Sequence, residues 1–161
     1  MTSRPIASKR GDGFNAADYA IIAKGLTLEY LIGVVLALGI SIGATAIGFD
    51  RERSFYPTVL IVIAFLYALF AIRAGSTHAL LLEALPIALF VIAAVTGFKK
   101  RLWWVVAGLI GHGLFDFVHG HFISNPGVPA WWPGFCGTYD VVAGAYLAFL
   151  LRRSEVGTKN S

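Results

Sequence analysis

FYPTVLIVIAFLYALFAIRA, residues 55–74, carries no charge between Arg53 and Arg73. An α-helix needs roughly 20 such apolar residues to cross the hydrocarbon core of a bilayer. Four further stretches, at about 25–48, 78–98, 102–122 and 131–151, are of similar length and character. Together they take up most of the 161 residues and leave no room for a soluble domain. The expected fold is all-α, a polytopic bundle of about five transmembrane helices. Residues 1–24 form a polar N-terminal tail, 25–152 a single transmembrane domain, and 153–161 a polar C-terminal tail.

Composition agrees. The chain is 57% hydrophobic with 14% charged residues and a mean hydropathy of +0.73, against about 25% charged residues in soluble domains. The first apolar run is too long for a 7–15-residue signal core, so it reads as a retained span. Phe14 to Lys24 reads as a short amphipathic helix lying on the surface before it. The lone Cys136 excludes an internal disulfide. The net charge of +4 comes from basic residues at span ends, which are topology signals and not a nucleic-acid patch.

Five spans put the termini on opposite faces. Arg4, Lys9, Arg10, Lys24 and Arg73 fall on the N-terminal face, and Arg51, Arg53, Lys99, Lys100, Arg101, Arg152, Arg153 and Lys159 on the other. The positive-inside rule then places the C-terminus in the cytoplasm.

Ionisable residues inside spans are costly and mark function by default. Glu29, Glu83, Asp116 and Asp140 all lie within spans. Counted at 1.5 Å per residue, each lies roughly 7–12 Å inside the N-terminal face. His78, His119 and Arg73 fall at similar levels, so the expectation is a one-sided polar pocket, the other half of every span being almost purely apolar.

Two elements carry the chemistry. HGLFDFVHGH (112–121) places His112, Asp116 and His119 at i, i+4 and i+7, within an arc of roughly 60° on one helix face. Gly108, one turn earlier on that face, admits a neighbouring helix closely. Imidazole and carboxylate suit a divalent transition metal such as zinc, iron or manganese. Asp140, Glu83 or Glu29 would complete the shell. The same residues also fit a site without metal, or hydrogen bonds that only join helices.

WWPGFCGTYD (131–140) is the second element. Its paired tryptophans read as interfacial anchors. Cys136 and Asp140 are one turn apart on one face, with packing the expected role for the cysteine. Gly39 and Gly43 form a GxxxG step of the helix-contact type, and Pro86 is expected to kink the third span just beyond Glu83.

The joint pattern HGxxDxxH followed by PxWWPxFCxxYD, with RSFYPTVL and GSTHALLLEALP before it, resembles small bacterial integral membrane proteins of this length that carry no assigned activity. The resemblance covers roughly residues 51–151 and implies a bacterial inner membrane. Tryptophan-rich sensory and translocator proteins are similar in length and helix number, but their proline-flanked tryptophans lie near the start of the chain. Alkaline-ceramidase-like hydrolases also hold zinc with intramembrane histidine and aspartate, but with an HxxxH pair and seven helices.

Three functions fit these residues. The first is a metal-dependent hydrolase or oxidoreductase acting on a lipid or apolar substrate. His112, Asp116, His119 and Asp140 would be ligands to zinc or iron, and Glu83, Glu29 and Asp140 the groups that move protons. The second is a proton-coupled transporter or small-molecule binding protein, which with five spans would need a homodimer. The third is an accessory subunit whose polar residues pair with a partner's helices.

Overall fold

The computed structural model describes residues 16–153, with side chains from Leu28 onward. Residues 1–15 and, of the polar C-terminal tail, 154–161 lie outside the described residues. Among the described residues there are five α-helices: α1 (Ala16–Ile47), α2 (Phe55–Arg73), α3 (Thr77–Lys99), α4 (Trp103–Phe122) and α5 (Trp132–Arg152). Helices are what lipid demands, because every backbone N–H and C=O must be satisfied within the segment. Four of the five are long and apolar enough to cross a membrane. The remaining helix, α4, matches them in length at 20 residues, and its histidines and aspartate lower its apolarity.

The first span differs from expectation. The backbone from Ala16 through Lys24 is continuous with α1 and forms no separate surface helix. No proline interrupts Ala16–Ile47, so nothing stops the helix there. At 1.5 Å per residue its 32 residues span roughly 48 Å, well beyond a ~30 Å hydrocarbon core.

Connections are short. Gly48, at φ 82°, reverses the chain out of α1 into a 3-10 turn at Phe49–Arg51. Gly75, at φ 65°, does the same between α2 and α3. There the Ser76 hydroxyl caps α3 by accepting from the Ala79 amide at 3.2 Å. α3 runs through Pro86 as one continuous helix.

α5 is central, packed between α1 and α4, while α2 and α3 form a hairpin that closes on α4. Gly33, Ala37, Ser41 and Ala44 form the buried stripe of α1. Gly39 and Gly43, the expected contact step, face open space within this chain. They lie on a different face of the helix from the stripe that meets α5. Outward faces carry large apolar side chains such as Leu31, Val35, Leu81, Leu85 and Ile92, each more than half exposed, the inside-out distribution that a lipid surroundings allows. The interior holds Leu60, Val105, Leu109 and Leu147, fully buried.

Candidate metal centre

The i, i+4, i+7 face of α4 turns inward as the spacing requires. His112, Asp116 and His119 are all buried, at 1%, 1% and 2% exposure. Glycines let the neighbouring helices come close enough to meet them. A Cβ on Gly108 would lie 2.5 Å from Leu60 Cδ2 of α2, and one on Gly113 would lie 2.6 Å from the Gly137 carbonyl of α5. Gly113 follows His112 and Gly137 follows Cys136, so the tightest approach of α4 to α5 lies beside the reactive groups.

Across that contact His112 Nδ1 is 2.7 Å from Asp140 Oδ2 and 3.6 Å from Asp116 Oδ1. The Tyr67 hydroxyl of α2 donates to Asp116 Oδ1 at 2.6 Å. Cys136 Sγ lies 3.8 Å from Asp140 Oδ2. One ligand atom each from His112, Asp116, Cys136 and Asp140 falls within 4.8 Å of the others, and all four residues are buried. This group could hold a metal ion.

Charge counting favours an occupant. One imidazole faces two carboxylates, so even a protonated His112 balances only one of them. An unpaired charge in such surroundings is expensive, and a shared proton or a cation must make up the difference. Asp116 Oδ2 and Asp140 Oδ1 are buried without a hydrogen-bond partner. Unmet acceptors in a native interior ask for an explanation, and a bound cation is one that also balances the charge.

A second pair adjoins the first. His119 Nε2 is 2.8 Å from Glu83 Oε1 of α3, and Asn125, in the α4–α5 loop, donates from Nδ2 to the same oxygen at 2.9 Å and to the Tyr67 carbonyl at 3.0 Å. Glu83 Oε2 is left without a partner. Tyr67 joins the two groups, its ring stacked on His119 at 4.1 Å between centroids while its hydroxyl reaches Asp116. A pocket of about 270 Å³, lined by His119, Asn125, Ser124 and Pro129 among others, opens on the His119 side of this pair.

The structure therefore gathers His112, Asp116, Asp140, His119 and Glu83 into one polar core, but not as a single ligand set. His119 is paired with Glu83 and lies outside the four converging residues, and Cys136, expected only to pack, lies inside them. Glu29 is elsewhere. Its carboxylate lies against Gly134 and lines an outward groove of about 490 Å³ with Leu28, Ile32, Leu36, Trp131 and Phe135. Arg73 and His78, expected at the pocket's level, are exposed, because they sit in the last turn of α2 and the first of α3 where the hairpin turns. Tyr67 and Asn125 had no motif to announce them.

We found no matching family model, no matching curated protein and no matching solved structure. The site therefore stands on its own geometry.

A second polar group lies outside the spans proper. Near the other end of the bundle Asp50 is 3% exposed and Ser41 2%. Thr45 Oγ1 donates to Asp50 Oδ2 at 2.5 Å and lies 3.0 Å from the Tyr146 hydroxyl. Asp50 falls in the 3-10 turn between spans, and Gly48 folds that turn back beneath the helix ends. Buried Leu60, Ile63, Leu109 and Ala143 occupy intermediate positions along α2, α4 and α5.

Proposed function

We propose that this protein is a multi-pass enzyme of the bacterial inner membrane, with its C-terminus in the cytoplasm, that uses a divalent metal to act on a lipid or apolar substrate. The observation that carries the reading is the convergence of His112, Asp116, Cys136 and Asp140 with two carboxylate oxygens unmet. Nitrogen, sulfur and oxygen donors together suit zinc first and iron second. Zinc supplies Lewis acidity and a bound water that ionises near neutral pH, so hydrolysis is the preferred chemistry.

The chain's own residues supply the rest. Tyr67 orients the Asp116 carboxylate. Glu83 is held by His119 and Asn125 through one oxygen, and its free oxygen accepts a proton. His119 borders the pocket through which that proton reaches water. The groove between α1 and α5 presents an apolar wall with the single carboxylate of Glu29, dimensions in the range of small-molecule sites. Clustered Arg51, Arg53 and Lys99–Arg101 support the orientation, and Arg53 ties these ends together by donating to the Lys100 carbonyl at 3.1 Å.

The test is turnover by detergent-purified protein against a panel of lipid esters and amides. Activity should vanish on chelation and return with zinc, and Glu83→Gln should stay inactive when reloaded. Activity undiminished in metal-free protein would reject the reading. A second reading rests on the two buried imidazole–carboxylate pairs, His119 with Glu83 and His112 with Asp140, groups that suit proton exchange inside a membrane. Proton-driven flux by metal-free protein in vesicles would select it.

A further inference from the structure

We propose that the buried oxygen cluster at Asp50 is a binding site for a monovalent alkali-metal cation. It is separate from the metal centre and draws on α1, α5 and the turn between α1 and α2. Thr45 Oγ1 lies within bonding distance of three other oxygens: the Ser41 carbonyl at 3.0 Å, Asp50 Oδ2 at 2.5 Å and the Tyr146 hydroxyl at 3.0 Å. The Thr45 proton can serve only one of its two acceptors. With Tyr146 able to donate the second proton, the hydrogen bonds of the cluster can be met while the negative charge of the carboxylate stays unbalanced.

Charge points the same way. Asp50 is 3% exposed and forms no ion pair among the described residues. The nearby arginines are engaged elsewhere: Arg51 is exposed and lies along Gly48, and Arg53 donates to the carbonyls of Gly97 and Lys100. The carboxylate also follows directly on the C-terminus of α1, the negative end of that helix's dipole, where cations and not anions are favoured.

An independent observation marks the ligand. Tyr56 of α2 is 2% exposed, and its hydroxyl makes no hydrogen bond of ordinary geometry; its nearest polar group is the Ser41 side chain, within electrostatic reach of Asp50 and Tyr146. An all-oxygen set selects a hard cation. A single carboxylate balances a single charge, and helix C-terminal ends are known to hold sodium in membrane proteins.

The test is thermal unfolding of the full chain in detergent, in sodium chloride against choline chloride at equal ionic strength. Sodium should raise the Tm saturably by roughly 4 °C or more. The shift should persist in His112→Ala, disappear in Thr45→Val and Asp50→Asn, and need several-fold more sodium in Tyr56→Phe. If Asp50→Asn does not fold, Thr45→Val and Tyr56→Phe carry the comparison. Equal Tm in the two salts for the unmodified protein overturns the proposal, as does a sodium shift undiminished in the Thr45 and Tyr56 variants.

Discussion

His112 holds the most exposed position energetically while being almost fully buried. It faces Asp140 and Asp116 at once, and removing one member of a buried pair costs about 3–5 kcal/mol because the other is left uncompensated. His112→Ala should therefore lower stability in detergent by about that amount, read from chemical or thermal unfolding. Tyr67→Phe removes one donor to a carboxylate, worth about 2 kcal/mol. Its ring should still stack on His119, so the variant should fold and show a changed metal affinity, measurable by competition with a chelator. A Tyr67→Phe protein of unchanged stability and affinity would contradict the role given to that hydroxyl.

At this scale the sequence showed some residues and hid others. Spacing revealed His112, Asp116 and His119 because a helix converts i, i+4 and i+7 into one face. The depth count revealed Asp140 and Glu83. It could not exclude Glu29, Arg73 or His78, because depth says nothing of the direction in which a side chain leaves its helix. Cys136 was undervalued since a single cysteine has no spacing to interpret. Tyr67 looked like one more aromatic in an apolar run, and Asn125 belonged to a loop. Asp50 was concealed by its place between spans, where a charge is ordinarily solvated.

Between elements, the decisive contact is α4 against α5 at Gly113 and Gly137. A methyl at Gly113 meets the Gly137 carbonyl first and the Val141 side chain next, and because the backbone oxygen cannot swing away the helices must separate. Overpacking of this kind typically costs 1–3 kcal/mol. Gly113→Ala should destabilise by about 2 kcal/mol and weaken metal binding with it, because His112 and Asp140 move apart together. Gly39→Ala on α1 meets open space and should leave the monomer undamaged or stabilise it by about 0.5–1 kcal/mol through helix propensity. Unfolding midpoints of the two variants side by side check the contrast. Within this chain the GxxxG step is not the contact used: a small-residue step shows that close approach is permitted, while the face that meets α5 is Gly33, Ala37, Ser41 and Ala44.

For the molecule as a whole, the number and order of the helices were legible, and the length of all but the first, because lipid leaves so few solutions for the backbone. What hydropathy could not convey was which helix stands at the centre, or that polar groups occupy both ends of the bundle. With α5 central and α1 to one side of it, the two polar regions share helices but not residues. Basic clusters at the α1–α2 and α3–α4 connections predict that a reporter fused after Arg153 is active on the cytoplasmic side only, and a periplasmic signal from that fusion would reverse the orientation.

The central claim is that the four buried residues form a metal site. Its most direct measurement is the metal content of chelator-free, detergent-purified protein by elemental analysis, alongside His112→Ala and Cys136→Ala. One zinc or iron per chain in the unmodified protein, lost in His112→Ala and reduced in Cys136→Ala, is the predicted result. Folded protein that contains no metal and takes up none when it is supplied would contradict the account.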